Sequence, residues 1–194
     1  CIRDRSRSAL TEQTDRLARL ADDIDEVSTA EEGRLSLQPE VVAVSDLLWN
    51  AGEAVRDRYR DAGVNLAVDT TSAAGLTIDI DRQRLGQVLS NLLNNALRHT
   101  PAGGIVTVSA RQVDDEIDIT VTDTGEGITP EHLPHVFERF YRGDAARSRD
   151  HSGSGIGLTI SKAIIDAHHG TIQALSQGPG QGATFVVTLP RRQT

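Results

Sequence analysis

The sequence is poor in cysteine, methionine and aromatic residues and carries no excess of positive charge, and these shortages exclude several classes of protein. Its one cysteine, Cys1, is terminal, so neither a disulfide framework nor a cysteine-based metal site is expected. No apolar run approaches the roughly 20 residues that a membrane-spanning helix requires. A net charge of -8 is unsuited to binding nucleic acid or anionic membrane, because both depend on clustered lysine and arginine. We therefore predict no nucleic-acid partner, no membrane contact by this chain and a cytoplasmic location.

The complete absence of methionine, including at position 1, suggests a piece of a longer protein. We accordingly expect that the parent protein can carry segments, including a membrane anchor, that this chain does not show. A length of 194 residues suffices for one domain with a buried core and one appended element.

The first segment has a narrow apolar stripe between charged faces. The stripe consists of Leu10, Leu17, Leu20, Ile24 and Val27. This spacing predicts an amphipathic helix with an a/d seam, although an ordinary surface helix would show the same pattern over so few heptads. We assign residues 1–33 to this helix, residues 34–44 to an extended linker and residues 45–194 to one domain.

The domain alternates helical and strand-like periodicity. The patterns predict helices over 45–63, 81–100 and 156–167, with Ser45 and Asp81 as N-caps, and strands over 64–68, 76–80, 105–108, 117–121, 171–175 and 184–189. The first two strands flank a turn rich in Thr, Ser and Gly, whereas 105–108 with 117–121 and 171–175 with 184–189 form hairpins. Mostly antiparallel strands with few β-α-β alternations predict an α+β fold, a two-layer sandwich whose mixed sheet is covered by three helices on one face.

The middle helix carries polar amides on one side. Asn91 and Asn95 are four residues apart and share a face, while its leucines turn towards a core. Asparagine is only a middling helix former, so a functional role and plain solvent exposure are about equally good explanations. An amide oxygen is a suitable ligand for Mg²⁺ that is held mainly by phosphate oxygens.

A carboxylate and two glycines follow the strand that ends at Val121, in the order Asp123-Thr124-Gly125-Glu126-Gly127-Ile128. A carboxylate at a strand end can accept a hydrogen bond from the exocyclic amine of adenine, where guanine would present an acceptor. The glycines would let the backbone approach the ring. Taken alone, the motif is equally typical of an ordinary turn.

Two further glycine-rich segments follow. Gly153-Ser154-Gly155-Ile156-Gly157-Leu158 opens the last helix, and consecutive amides at a helix N-terminus form a phosphate cradle. Its spacing excludes both a Walker loop and a dinucleotide fingerprint. Gly180-Gln181-Gly182-Ala183-Thr184-Phe185 opens the closing strand, and we predict that the Thr184 hydroxyl assists Asp123.

In this order and spacing, the motifs resemble the boxes of the GHKL ATPase superfamily, whose ATP-binding domain has the Bergerat-type fold. The segment Phe137-Glu138-Arg139-Phe140-Tyr141-Arg142 narrows the resemblance to the catalytic and ATP-binding domains of sensor histidine kinases. The resemblance covers about residues 10 to 190. Within it, the N-terminal helix is similar to the second helix of the dimerisation and phosphotransfer domain.

The resemblance implies a role for each matching residue. Asn95 would coordinate Mg²⁺ with support from Asn91, Arg98 would lie near the phosphates, and Asp123 would select adenine with Gly125 and Gly127 admitting the ring. Nucleotide contacts are further implied at Ile128, Phe140, Tyr141, Arg142, Gly153, Gly155, Ile156, Gly157, Leu158 and Thr184, with Asn91, Asn95 and Arg142 as catalytic residues. Residues 142–154 would form a mobile ATP lid anchored by Phe137 and Phe140.

Two departures shape the functional hypothesis. Hydrolytic members of the superfamily have a carboxylate where this chain has Asn91, and an amide cannot act as a general base. No His-Glu or His-Asp phosphoacceptor dipeptide occurs in the sequence, and its six histidines fit structural or solvated positions. The resemblance therefore implies transfer of the ATP γ-phosphate to a histidine outside this chain and then to the receiver domain of a response regulator. It also implies a homodimer through the N-terminal helix and a membrane-anchored parent; the alternatives are a non-catalytic ATP-binding regulatory module and, disfavoured by Asn91, a hydrolysing ATPase.

Overall fold

A computed structural model describes residues 35–141 and 155–191. The N-terminal helix predicted over residues 1–33 and the lid predicted over residues 142–154 lie outside this range. The described elements are β1 (Glu40–Ala43), α1 (Val44–Asp61), β2 (Asn65–Asp69), β3 (Thr77–Ile80), α2 (Arg82–His99), β4 (Ile105–Val113), β5 (Glu116–Asp123), a short 3-10 helix (Leu133–His135), α3 (Gly157–Ala167), β6 (Thr171–Leu175) and β7 (Thr184–Pro190). None of the helices in these ranges combines the length and apolarity needed to cross a membrane.

A five-stranded sheet forms one layer, in the order β2-β4-β5-β7-β6. Strand β2 is parallel to β4, and every other neighbouring pair is antiparallel. The turn Asp114-Asp115 joins β4 to β5, where Val113 pairs with Glu116. Both predicted hairpins and the mostly antiparallel character of the sheet are thereby confirmed.

Helix α2 forms the centre of the second layer, where it packs between α1 and α3. Five of its apolar side chains, Leu85, Val88, Leu89, Leu92 and Leu93, have no exposed surface. They meet the face of β5 that carries Ile117, Ile119 and Val121, which are also buried. Because burying one such side chain contributes about 1.5–3 kcal/mol, this contact helps to hold the two layers together. The predicted α+β two-layer arrangement is confirmed.

A second, two-stranded sheet was not predicted. Strand β1 lies inside the range 34–44 that was predicted to be a linker. It pairs antiparallel with β3, and its Val42 is 1% exposed. The linker prediction is therefore wrong from residue 40 onwards. Strands β2 and β3, which flank the Thr-rich turn, pair with β4 and β1 instead of with each other. A run of four residues is too short to show strand periodicity, and its partner is remote in sequence.

The two predicted helix caps have different outcomes. Asp81 caps α2 as predicted, with its Oδ1 accepting a hydrogen bond from the amide of Arg84 at 3.0 Å. Ser45 is not an N-cap, because α1 already begins at Val44. The amide of Val44 is satisfied by the carbonyl of Leu76, so this helix start is held by tertiary pairing and not by a side chain.

The end of α3 contains a residue in a backbone conformation that suits glycine. His169 has φ +57 and occupies the C′ position of a Schellman motif, in which its amide bonds to Asp166 and that of Gly170 bonds to Ile165. A side chain at this φ costs roughly 1 kcal/mol relative to glycine. We expect His169→Gly to raise the free energy of unfolding by about this amount in chemical denaturation. His169→Ala retains the Cβ and should show no gain; an equal gain would assign the effect to the imidazole ring.

Candidate functional site

Asp123, the last residue of β5, is a buried carboxylate with one oriented oxygen. Strand alternation places it on the helix-facing side of the sheet, where it is 5% exposed. Its Oδ1 accepts hydrogen bonds from the amides of Gly125 at 2.8 Å and Ala183 at 3.3 Å. Burial raises the pKa of the Asp123 carboxyl, and the two amides only partly oppose this effect. Within the described ranges no donor contacts Oδ2, which leaves that oxygen for a ligand.

The turn after β5 is fixed to the end of α2. A Cβ on Gly125 would lie 2.1 Å from the carbonyl oxygen of His99, so the two main chains meet too closely for any side chain. The amide of Glu126 donates to that carbonyl at 3.0 Å, and the Glu126 carboxylate meets His99 Nδ1 at 2.5 Å. This pair was not predicted, because Glu126 is a variable position of the Asp-x-Gly-x-Gly motif and His99 lies 27 positions away in sequence.

The loop between β6 and β7 encloses the turn from the other side. Amides of Gly182 and Gly180 donate to the carbonyls of Gly125 and Glu126 at 3.1 and 2.7 Å. Gly127 has φ +71, and a Cβ there would lie 2.1 Å from the carbonyl oxygen of Gly178. The structure thus brings the Asp-x-Gly-x-Gly turn and the second glycine-rich turn side by side around Asp123.

The predicted contact between Thr184 and Asp123 is wrong. The Thr184 hydroxyl lies 3.2 Å from that of Thr122, its partner across β5 and β7. Because side chains alternate along a strand, both hydroxyls occupy the sheet face opposite to Asp123. Ala183 is the residue of this loop that faces the carboxylate, and it offers only its amide.

The Asn-bearing face of α2 meets the beginning of α3. Asn91 Nδ2 donates to the carbonyl of Gly157 at 3.1 Å and lies 3.4 Å from the Ser161 hydroxyl. Asn95 is half-buried one turn later, and its amide has no hydrogen-bond partner among residues 35–141 and 155–191. Asn94 points elsewhere, towards Arg58 at 2.8 Å. Asn91 therefore links the two helices, whereas Asn95 has its amide available to a ligand.

Arg98, predicted near the phosphates, is exposed in the last turn of α2. Ile128 is half-buried directly after the turn, and Ile156 and Leu158 flank the start of α3, with Ile156 1% exposed. Arg142 and Gly153 fall outside the described residues, so their predicted roles stay predictions.

The two segments that flank residues 142–154 are hydrogen-bonded to each other. The amide of Phe140 donates to the carbonyl of Gly155 at 3.0 Å, and Gly155 has φ +70. Phe137 packs edge-on against Phe185, with 6.3 Å between the ring centroids. This contact agrees with the predicted anchoring role of Phe137. The expected side-chain anchoring by Phe140 is not found, because this side chain is 58% exposed and is fixed through its backbone.

Tyr141 contacts two histidines that were predicted to be structural or solvated. Its hydroxyl lies 2.5 Å from His132 Nδ1, and its ring centroid lies 5.5 Å from the ring centroid of His135. Both histidines thereby orient the residue that immediately precedes the predicted lid.

A magnesium ion fits this site only together with a nucleotide. In the described part of the chain, no group of three or more His, Cys, Asp or Glu residues could hold a metal ion. One amide oxygen, that of Asn95, is a hard ligand of the kind that Mg²⁺ accepts, and phosphate oxygens and water commonly complete its octahedron.

Comparison with known proteins identifies relatives that share most of this chain. The family described as histidine kinase-, DNA gyrase B-, and HSP90-like ATPase matches residues 80–193. The sensor protein DivL of Caulobacter vibrioides is 41% identical over 91% of this chain and 22% of its own length. The signal transduction histidine-protein kinase BaeS of Escherichia coli is 37% identical over 94% of this chain and 38% of its own length. The chain thus spans well under half of these curated relatives.

Solved structures show the same architecture. ShkA, crystallised at full length with AMPPNP, superposes with a TM-score of 0.84 at 29% identity, covering 96% of this chain and 38% of ShkA. The histidine kinase AdeS of Acinetobacter baumannii gives 0.77 at 27% identity, covering 96% of this chain and 84% of AdeS. The mycobacterial sensor histidine kinase MprB gives 0.68 at 31% identity, covering 80% of this chain and all 100% of the MprB chain.

Proposed function

We propose that this chain, which belongs to the family of histidine kinase-, DNA gyrase B- and HSP90-like ATPases, holds ATP for phosphoryl transfer to a histidine outside the chain. Within that family it is the ATP-binding catalytic region of a two-component sensor kinase. One arrangement supports the proposal. On one side Asp123 is held between two glycine turns, and on the other the Asn-bearing face of α2 contacts the N-terminus of α3.

The base end of the nucleotide would lie against Asp123. Its unengaged Oδ2 would accept a hydrogen bond from the exocyclic amine of adenine, while Oδ1 stays bound to the amides of Gly125 and Ala183. The glycines at 125 and 127 would allow the ring to approach the backbone, and Ile128 would supply an apolar contact. Selection of adenine would follow from the acceptor character of this carboxylate.

The phosphate end would lie between α2 and α3. Asn95 would hold the Mg²⁺, which, when bound, neutralises charge that develops on the transferring phosphoryl group. Amides at Gly155, Ile156, Gly157 and Leu158 would meet phosphate oxygens at the helix N-terminus, aided by the helix dipole. Arg98, Phe140, Tyr141, Arg142 and Gly153 would complete the contacts, with Arg142 as a cationic partner of the phosphates.

Asn91 favours transfer over hydrolysis. Its amide nitrogen donates to the carbonyl of Gly157, and an amide has no basic atom with which to remove a proton from water. The residue would therefore hold the α2–α3 junction in place without activating water. Slow turnover of ATP by the isolated chain follows from this arrangement.

The partners implied by this proposal lie outside the described residues. The acceptor would be a histidine on the first helix of a dimerisation domain, and the phosphoryl group would then pass to the receiver domain of a response regulator. Residues 1–33 would contribute to a homodimer in the parent protein, which we propose to be anchored in the cell membrane with this chain on the cytoplasmic side.

Phosphoryl transfer in trans tests the proposal. The purified chain should bind ATP more tightly with Mg²⁺ than without it, and should label a separate polypeptide that carries the His-containing first helix of a sensor kinase dimerisation domain. Asn95→Ala is expected to remove most of the Mg²⁺ dependence and at least tenfold of the labelling rate, because a lost metal contact costs of order 1.4 kcal/mol or more.

Asn94→Ala is the matched control, since Asn94 lies beside Asn95 on α2 but bonds to Arg58. It should bind ATP and label the acceptor like the wild type. Tight ATP binding with no labelling of any acceptor would favour the non-catalytic regulatory module. Fast hydrolysis that survives Asn91→Ala would contradict the transfer mechanism.

A further inference from the structure

Ser176, directly after β6, contacts both glycine turns that surround Asp123. Its hydroxyl oxygen accepts hydrogen bonds from the amides of Ile128 at 3.0 Å and Gly178 at 3.2 Å. The same hydroxyl donates to the carbonyl of Gly182 at 2.6 Å. One side chain thus joins the end of the Asp-x-Gly-x-Gly turn to both ends of the neighbouring loop.

These contacts use the whole bonding capacity of a hydroxyl group, which is one donor and two acceptor positions. Ser176 has consequently nothing left with which to bind a ligand directly. Any influence on a ligand must pass through the backbone that it holds. Hydroxyl loss would leave the Ile128 amide and the Gly182 carbonyl without this partner in a half-buried turn.

The backbone that Ser176 fixes is the part of the chain that orients Asp123. Gly182 donates to the carbonyl of Gly125, whose own amide holds Asp123 Oδ1. Ala183, the next residue, gives the second amide to the same oxygen. A shift of the Gly178–Gly182 turn would therefore displace a donor to the carboxylate and change the width of the base pocket.

We propose that Ser176 is a positioning residue for the purine end of the nucleotide, acting by fastening the two glycine turns to each other. The proposal rests on the proposed function, since it needs a nucleotide whose base lies against Asp123. It assigns affinity for the base and ribose to a side chain that touches neither.

Nucleotide binding by Ser176 variants of the full chain tests this role. Ser176→Ala is expected to raise the Kd for ATP about tenfold, the effect of losing one modest hydrogen-bond contribution. The Kd for AMP, measured by competition, should rise by the same factor because AMP shares the base and ribose. Ser176→Thr, which keeps the hydroxyl, should stay closer to the wild type than Ser176→Cys, which keeps the volume with a weak donor.

Thr188→Ala is the matched control. It removes a hydroxyl that donates to Asp118 at 2.7 Å on the opposite face of the sheet, so it should lower the melting temperature without changing the Kd. Unchanged ATP affinity in Ser176→Ala would overturn the inference, as would a loss for ATP that AMP does not share, or a cysteine variant that binds better than the threonine variant. Failure of the wild-type chain to bind ATP would instead overturn the proposed function.

Discussion

Asp123→Asn is expected to raise the Kd for ATP about a hundredfold while the protein remains folded. The variant keeps an amide oxygen that can accept from Gly125 and Ala183. It places an NH₂ group where Oδ2 was, opposite the exocyclic amine of adenine, so two donors face each other. Loss of a hydrogen bond to a charged acceptor costs about 1.5–3 kcal/mol, and an unpaired donor adds to this cost. Isothermal titration with ATP and GTP measures the effect, and discrimination against GTP should narrow because guanine presents an acceptor.

The pH dependence supplies an internal control for this variant. Burial raises the pKa of the Asp123 carboxyl, so protonation begins nearer to neutral pH than for an exposed aspartate. Wild-type affinity for ATP should fall as the pH is lowered towards that pKa, whereas the weak affinity of Asp123→Asn should not follow the same curve. An identical pH profile in both proteins would contradict assignment of the base contact to this carboxylate.

The raised pKa of the Asp123 carboxyl also predicts that Asp123→Asn does not destabilise the fold, although it weakens ATP binding. A carboxyl whose pKa is higher in the folded than in the unfolded state binds more protons when folded, so its contribution to stability declines as the pH rises through that interval. At neutral pH the ionised carboxylate is consequently a cost to folding. Asp123→Asn should therefore unfold at a denaturant concentration equal to or above that of the wild type.

Gly125→Ala is expected to lower the free energy of unfolding by about 3 kcal/mol and to abolish tight ATP binding. A Cβ at this position would lie 2.1 Å from the carbonyl oxygen of His99, and the obstacle is backbone that cannot rotate away. The turn must move, which breaks the hydrogen bond from Glu126 to His99 and withdraws an amide from Asp123. Overpacking of this kind typically costs 1–3 kcal/mol. Chemical denaturation and nucleotide titration measure the two effects.

Gly86→Ala is the matched control. Gly86 lies within α2, and a Cβ there meets no atom within 4 Å. Alanine is the better helix former by about 1 kcal/mol, so this variant should gain stability and bind ATP normally. Equal losses in both variants would show that the close approach of Gly125 to His99 does not matter.

The sequence alone was sufficient for the regular elements with strong periodicity. Apolar residues recur at helical spacing from Leu85 to Ala96 because one face of α2 is buried along its whole length. Apolar and polar residues alternate along β5 because helices cover one face of the sheet. The Asp123 turn and the Asn91–Asn95 face were likewise visible, since each combines residue types with a local spacing. Such features depend on neighbours within a few positions and leave a pattern in the chain.

Other features of the site depend on contacts between residues far apart in sequence. The sheet face on which Thr184 lies follows from the pairing of β5 with β7, and the position of Ser176 follows from a loop that returns to Ile128. Strand β1 pairs with β3 although α1 and β2 lie between them in the chain. Hydrogen-bond partners that are 40 or more residues apart, such as Ile128 and Ser176, leave no periodic signal. The sequence thus determined the strongly periodic elements and the chemistry that they carry, whereas only the tertiary structure decided which atoms meet, because sheet register and backbone crossings are set by packing of the whole domain.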